Sequence, residues 1–594
     1  MQTTGPDRRQ LLGALTAVGL GAWAGQASER ASRPYRAPQL HSAVSAQMRA
    51  TRRPNILFIM SDQERSWQDL PGQLGLHAHE MLLEKGVGFT QHHAHTTPCS
   101  PSRSTIYFGQ HTQRTRMTAN LDAPPTFPQL PSGMPSIGHL LRAQGYYTAY
   151  KGKWHLSPIA HDPGLVYGQY PNSEHLLEPY GFSDFNIDGD PHGATWTGYR
   201  YDAQIASQAV QWLGTRGRNL RNEQPWFLAV NFVNPHDIMY FSTGPQQEAS
   251  RLRKNLLAPL SPAPTSPLYG KQWDLPLPAS HYQDDLRSKP WAQRSYVDVC
   301  NFLYGRIEPD DEAAWRAYQS YYFNCLRDVD SHVLTVLQAL EQLGMAQDTI
   351  VVYTADHGEM AGAHGLRQKG PHMYKENIRI PLIVRHPDVR NNHSTSALSG
   401  CIDLVPTLLG FAGVSPQATA EHYPYLQGVD LAPALSSPAA RTERDRRGVL
   451  LNYGVPLYID PRFMQASIET DATNAQLAAL KLGLTQGQMF PSREHPGFFR
   501  GIHEGRYKFA RYFAPADHHQ PQDWATLTRR NELELYDTQT DPNELHNLAA
   551  QPETHKDLLL SLSTRTNALV ALEVGNDTGT EFPGPARWYS HAAG

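Results

Sequence analysis

The chain predicts an α/β fold: a large mixed, mostly parallel sheet flanked by helices, followed by a smaller C-terminal α+β subdomain carrying an antiparallel sheet. Three observations carry that expectation. Asn55-Ile56-Leu57-Phe58-Ile59-Met60 is a short unbroken apolar run, the pattern of a central parallel strand covered on both faces. Residues 325–354 read as helix then strand: Leu326, Val329, Val333, Val336, Leu337 and Leu340 keep helical spacing, Gly344 is placed to end the helix, and Thr349–Thr354 is apolar and β-branched. Phe498 to Phe513 alternates about Glu504-Gly505, the pattern of an antiparallel hairpin.

Taken in chain order, the first element is a targeting segment. Arg8-Arg9 precede the small apolar run Leu11–Gly21, and Ala22-Trp23-Ala24 offers a small-residue cleavage site. The run is too short for a comfortable membrane span. Paired arginines before a weak apolar region predict a twin-arginine export signal over residues 1–30, with a plain Sec signal or an uncleaved anchor as the alternative. Residues 31–52 read as a linker. The mature protein is therefore expected in a bacterial periplasm or secreted, and no later segment is apolar enough to span a bilayer.

The catalytic domain is expected over residues 53–440. Its first strand ends in Ser61-Asp62-Gln63, at the strand edge where open α/β sheets bind ligands. The run Trp226–Val233 ends likewise in Asn234-Pro235-His236, and the strand at Thr349 delivers Asp356-His357-Gly358. Pro381–Val384 is a further buried strand. Residues 240–310 are rich in Pro, Ser, Leu and Asp with little periodicity, and read as a long insertion or lid on the active-site side. The smaller subdomain, residues 441–594, holds the hairpin, a strand at Glu534–Asp537, a turn at Asp541-Pro542 and a last helix near Glu553–Leu572.

Composition bounds the function classes. At 594 residues, 40% hydrophobic and 18% charged, the chain is an ordinary globular protein too long for one simple core. A formal net charge of −4 gives no electrostatic case for nucleic acid or an anionic membrane as partner. Four cysteines, Cys99, Cys300, Cys325 and Cys401, are no disulfide scaffold in a chain this size, and none has zinc-site spacing. The last three read as buried thiols, with one disulfide pair as the alternative.

Chemistry concentrates in a few blocks. In Cys99-Ser100-Pro101-Ser102-Arg103 a lone cysteine stands near a cation that can lower its pKa and make it a nucleophile. The same residues could equally be a helix start with Pro101 near its first turn. Asp62, Gln63, Asp356 and His357 offer mainly oxygen donors of the kind that hold a hard divalent cation, or else a solvated loop end and a helix cap. Lys153 and His155 fall on one side of an extended segment, where lysine can neutralise an oxyanion and histidine can take a proton.

These blocks, in this order, resemble the formylglycine-dependent sulfatases of the alkaline phosphatase superfamily. The likeness runs through Pro54-Asn55-Ile56 to Asp62, Cys99 to Thr105, Gly152-Lys153-Trp154-His155, Asn234-Pro235-His236 and Asp356-His357-Gly358-Glu359. It continues through Lys369-Gly370-Pro371-His372-Met373-Tyr374-Lys375-Glu376 to Glu534–Asp537 and Asp541–Glu544. The resemblance implies a sulfate-ester hydrolase whose Cys99 is oxidised to formylglycine by a separate formylglycine-generating enzyme. It implies one divalent ion held by Asp62, Gln63, residue 99, Asp356 and His357, with Ca²⁺ first and Mn²⁺ or Mg²⁺ as alternatives. Arg103, Lys153, His155, His236 and Lys369 complete the implied catalytic set. Lys153 and Lys369 bind the sulfate, His236 protonates the leaving alcohol, His155 takes a proton in the second half-reaction, and Arg103 orients residue 99. Gln63 and His357 stand where the best-known sulfatases often carry a second acid and an asparagine. That pairing also occurs in phosphonate monoester and choline-sulfate hydrolases, so a phosphonate monoester or phosphate diester substrate is the alternative. A non-catalytic exported binding protein of the same fold is the rival from another class.

Overall fold

The computed structural model describes residues 53–121, 128–159, 174–187, 189–220, 223–245, 247–248, 260–389, 392–455 and 494–579. The expected export segment and linker, residues 1–52, lie outside them.

Seven strands make the main sheet: β1 (Asn55–Asp62), β2 (Val87–His93), β3 (Tyr147–Gly152), β4 (Trp226–Pro235), β5 (Thr349–Ala355), β6 (Leu382–Arg385) and β7 (His393–Gly400). Their spatial order is β3-β4-β1-β5-β6-β2-β7. The four strands β3, β4, β1 and β5 are parallel neighbours, whereas β6 runs antiparallel to both β5 and β2, which makes the sheet mixed. Every residue of β1 is buried, because strands pair with it on both edges and helices flank the sheet; this is why the sequence there does not alternate. The register aligns Gly152 with Asn231, Asn231 with Met60, and Met60 with Thr354. Four strands therefore run out at one level, and the polar residues that follow them share one edge.

The helices that matter for the site are α1 (Cys99–Phe108), α2 (Thr197–Trp212), α3 (Trp291–Tyr304), α4 (Glu312–Gln342) and α5 (Lys556–Glu573). Helices α2 and α4 pack on each other and on β4. Apolar spacing predicted α4 only from residue 325, but the helix begins at Glu312, with the Asp311 side chain accepting from Ala314 N–H at 3.0 Å. Its first turns are buried through Trp315, Tyr318, Tyr321 and Tyr322, a stripe too polar to read as core. Helix α3 stands in the segment expected to lack periodicity, for the same reason. Its buried stripe is Ala292, Tyr296, Val299, Cys300 and Tyr304, correctly spaced, but three of the five are tyrosine or cysteine.

The second sheet is antiparallel, in the order β11 (Glu532–Asp537), β10 (Tyr507–Phe513), β9 (Phe498–His503) and β8 (Val449–Tyr453). The expected hairpin is there, with Gly505 in the left-handed region at its turn. Helix α5 covers this sheet, burying Leu559, Leu562, Leu569 and Val570 against Leu450, Ile502, Phe509 and Leu535. The two sheets are sewn together near Cys99: Asn452 N–H donates to the His95 carbonyl at 2.8 Å, and His95 Nδ1 donates to the Leu450 carbonyl at 2.6 Å. All four cysteines are buried and free. Among the described residues, no helix is long and apolar enough to cross a membrane.

Candidate active site

The shared strand edge collects the residues singled out above. Asp62 and Gln63 follow β1, Asp356 and His357 follow β5, Lys153 and His155 follow β3, and His236 follows β4. Cys99 comes to them from the first turn of α1, and Lys369 from the loop after β5. The turns are tight. Gly152 has φ +90°, and a Cβ there would lie 1.9 Å from the Asn231 carbonyl oxygen; a Cβ on Gly358 would lie 2.0 Å from that of Glu376. Gln63, His155 and Gln368 take positive φ values of 71°, 55° and 68°, a conformation costly for residues with a Cβ.

At the centre, Cys99 Sγ lies 3.2 Å from His357 Nε2 and 3.6 Å from Asp62 Oδ1. Asp62, Cys99, Asp356 and His357 can each offer one donor atom, all within 4.8 Å of one another. Lys153 Nζ is paired with Asp62, and Lys369 Nζ with the side-chain oxygen of Gln63. His155 and His236 both reach the Cys99 thiol. Burial alone would raise the thiol pKa, but Lys153, Lys369 and His357 outweigh it and hold the group well below its ordinary value. Burial and the neighbouring Asp62 push Asp356 up, whereas Asp62, equally buried, is held down chiefly by Lys153. His236 is held neutral, at about 3, by burial and by Lys369 and Lys153, and its Nδ1 has no partner among the described residues.

Arg103 spends its donors on the frame. Nε donates to the Trp154 carbonyl at 3.1 Å, Nη2 to the Lys153 carbonyl at 2.5 Å and Asn231 Oδ1 at 3.1 Å, and Nη1 to Asp356 Oδ2 at 3.2 Å. It clamps the segment carrying Lys153 and His155 against the end of β5.

The chain matches the sulfatase family model over residues 54–414, more than half its length. The chain belongs to the sulfatase family. It is a hydrolase of the sulfuric-ester class. Among curated proteins it is 26% identical over 525 residues to the choline-sulfatase of Rhizobium meliloti, covering 84% of this chain and 83% of that one. It is 27% identical over 463 residues to the N-acetylglucosamine-6-O-sulfatase of Bacteroides thetaiotaomicron, covering 71% and 77%. Among solved structures, a 2-O GAG sulfatase superposes with TM-score 0.59 at 19% identity, covering 90% of this chain and 96% of that one. The phosphonate monoester hydrolase of Agrobacterium radiobacter superposes at 0.56 with 21% identity, covering 87% and 96%. At those identities the two structures bear on the fold alone.

Sulfatases generally work with a metal and a formylglycine, and the donor set here fits a metal ion. The telling atom is His357 Nδ1, 3.0 Å from the Gly358 carbonyl. A carbonyl only accepts, so Nδ1 carries a proton and Nε2 is the nitrogen turned toward the two carboxylates and the thiol, where it could bind an ion. Gln63 stands beside this group of four: its Nε2 donates to Glu359, its Oε1 accepts from Lys369, and its backbone N–H donates to Asp356 Oδ1 at 3.1 Å.

Several residues escaped the sequence reading. Asp190 accepts the backbone N–H groups of Trp154 (3.0 Å) and His155 (2.6 Å) and so shapes the strained turn at His155. Glu359 also accepts the Gln368 N–H at 2.7 Å. From the second sheet, Tyr512 Oη donates to the Pro371 carbonyl (3.0 Å), Lys508 Nζ to that of Met373 (2.7 Å), and Glu544 accepts the Lys375 N–H (2.7 Å). These long-range contacts seat the loop that carries Lys369; the sequence placed Lys508 and Tyr512 in the hairpin and Glu544 in the last family block, but tied none of them to that loop.

Proposed function

We propose that this sulfatase hydrolyses a sulfate ester to an alcohol and inorganic sulfate through residue 99, after oxidation of Cys99 to formylglycine by a formylglycine-generating enzyme. Asp62, Gln63, residue 99, Asp356 and His357 would hold one divalent ion, Ca²⁺ first, with Mn²⁺ or Mg²⁺ as alternatives because His357 brings an imidazole. A metal there supplies positive charge that acidifies the nucleophile and steadies the reacting group. The observation that carries the reading is the convergence of Cys99, two carboxylates and an oriented imidazole with Lys153 and Lys369 at one strand edge.

The chain's own residues account for the rest. Lys153 and Lys369 lie on either side of the central group and can neutralise the outer oxygens of a sulfate. Burial is the larger cause of His236's low pKa, and an anion seated between the lysines would cancel their added share, raising the pKa toward the range in which it can donate a proton to the departing alcohol. His155, within reach of residue 99 from the end of the neighbouring strand β3, takes a proton as sulfate is released. Arg103 keeps both lysine and histidine of the β3 segment at a fixed distance from Asp356.

The test has two arms. Mass spectrometry of the peptide holding residue 99 should show the thiol replaced by an aldehyde in active protein; full activity with an intact thiol would sink the nucleophile. Turnover of an aryl sulfate, a phosphate diester and a phosphonate monoester should favour the sulfate by at least tenfold. A reversed order would favour the second reading, a phosphonate monoester or phosphate diester hydrolase using the same site, which the Gln63 and His357 pair supports. Export through the twin-arginine route to the periplasm or medium belongs to the same proposal, and rests on Arg8-Arg9. N-terminal sequencing of the mature protein should begin near residue 25–31; retention of Met1 would contradict it.

A further inference from the structure

Arg367 stands two residues before Lys369 and is only 3% exposed. Its Nη2 donates to the carbonyls of Cys300 (3.1 Å) and Gly305 and to Asn301 Oδ1 at 3.3 Å. Its Nη1 has no partner, and among the described residues no carboxylate pairs with this guanidinium. Neutral acceptors spread a buried charge but do not cancel it, and a buried cation without a counter-ion is rare because it is costly. Tying α3 to the loop uses only Nη2. The positive charge and a full nitrogen are left over.

Arg367 also lines a cavity of about 330 Å³ between α3 and residues 365–367, a size at which small-ligand sites begin. Tyr296, Cys300, Leu366 and Trp315 make much of its wall apolar. Its other charges are Arg306, which pairs with Glu308 at 2.9 Å, and Asp298. The cavity and the active site share a partition. Tyr296 lines the cavity and donates its hydroxyl to the Lys369 carbonyl, while Tyr304, at the end of α3, feels both Cys99 and Arg367.

We propose that this cavity is a second oxyanion-binding site, in which Arg367 receives a carboxylate or sulfate. The guanidinium fork matches such groups in shape and charge. The apolar walls suit an acidic group borne on a ring. Two sources share that chemistry: an acidic substituent on the alcohol part of the substrate, and free inorganic sulfate. The first source rests on the sulfatase reading above; the site itself does not.

Crystals of the metal-loaded enzyme soaked in selenate test the site directly by anomalous scattering. Selenate is expected on Arg367 in the wild type and missing there in Arg367→Gln. Selenate at the lysines of the active site but none at Arg367 would overturn the site. Two aryl sulfates, 4-nitrophenyl sulfate and a ring-carboxylated analogue, then separate the sources. For a substrate-borne acid, Arg367→Gln should raise KM for the carboxylated ester at least tenfold and change that for 4-nitrophenyl sulfate less than twofold. Val297→Phe, which fills the cavity from α3 without touching the bonds of Arg367, should do the same. For free sulfate, both variants should instead abolish one of two calorimetric sulfate-binding events and leave the two KM values moving together. Equal losses on both esters in Arg367→Gln, with Val297→Phe neutral in every assay, would make Arg367 a structural tie and end the proposal. If neither ester is turned over by any form, the sulfatase reading fails while the selenate result still stands on its own.

Discussion

Arg444 and Arg103 are both fully buried arginines, and the company each keeps is different. Arg444 sits at the seam between the sheets. Its Nε donates to Asp403 at 3.1 Å, Nη2 is also paired with Asp403, and Nη1 with Glu573. Glu573 in turn accepts from His111 Nε2 at 2.8 Å, and Asp403 accepts the N–H groups of Gly400 and Val429, each at 2.8 Å. Burial would raise Glu573, yet Arg444 and His111 bring it down to about 2. Every charge there has an opposite neighbour and no place for another. Around Arg103, two carboxylates and a thiol crowd together, the lysines pair only in part, and Asp356 is pushed up rather than down. Saturated pairing makes a tie. Convergent groups with unmet demand make a site, because something absent from the chain's own residues must complete them.

That contrast can be broken by exchanging the outcomes of substitution. Cys99→Ala should lower turnover by on the order of 10⁴-fold or more, with the melting temperature nearly unchanged, since the proposed nucleophile is lost without a large cavity. Steady-state kinetics beside calorimetry would show it, and a large loss of stability would place Cys99 with the ties. His236→Ala and His155→Ala should each cost about 10²- to 10⁴-fold. Rapid-quench kinetics on aryl sulfates should show a burst of alcohol in His155→Ala and none in His236→Ala, whose defect shrinks as the alcohol becomes more acidic. Equal defects without a burst in either would remove the division of labour.

Arg444→Met should do the opposite of Cys99→Ala. Leaving Asp403 and Glu573 buried without their cation should destabilise the fold by about 3–5 kcal/mol, while the remaining folded enzyme keeps its kcat. Urea unfolding and active-site titration separate the two quantities; lost kcat with unchanged stability would reverse the comparison. The smallest effect is one of pH. The folded-state pKa of Glu573, about 2, lies below its ordinary 4.5. Its contribution is therefore fully present above pH 4.5 and is lost as pH falls through 2, amounting to about 3 kcal/mol at most. Glu573→Gln should be less stable at neutral pH and should flatten the acid limb of the stability curve. Parallel acid limbs in mutant and wild type would show that Glu573 does not titrate as its neighbours dictate.

Much of the edge was legible because it is a boundary phenomenon. Met60-Ser61-Asp62 and Thr354-Ala355-Asp356 each switch from apolar to acidic within three residues, and a parallel sheet turns such switches into neighbours. That Cys300, Cys325 and Cys401 are buried thiols, and that Glu504-Gly505 turns a hairpin, were readable for similar local reasons. Helix α3 was not, since tyrosine and cysteine at helical spacing do not register as a hydrophobic stripe. Nor could the sequence show that Asp190 shapes the turn at His155, or that Gln63 turns its oxygen to Lys369 because Glu359 takes its amide nitrogen. Those are side-chain contacts across long separations, and no periodicity encodes them.

Gln63, His155 and Gln368 hold left-handed backbone conformations that glycine would adopt at less cost, by on the order of 1 kcal/mol each. A directed-evolution campaign that scores heat tolerance alone would thus accept glycine more readily at His155 than at Gln63 or Gln368, whose buried amides also satisfy Glu359, Lys369 and Tyr318. That change would erase the imidazole that reaches residue 99. For this scaffold, survival after heating is a misleading proxy, and every round of selection has to include a substrate.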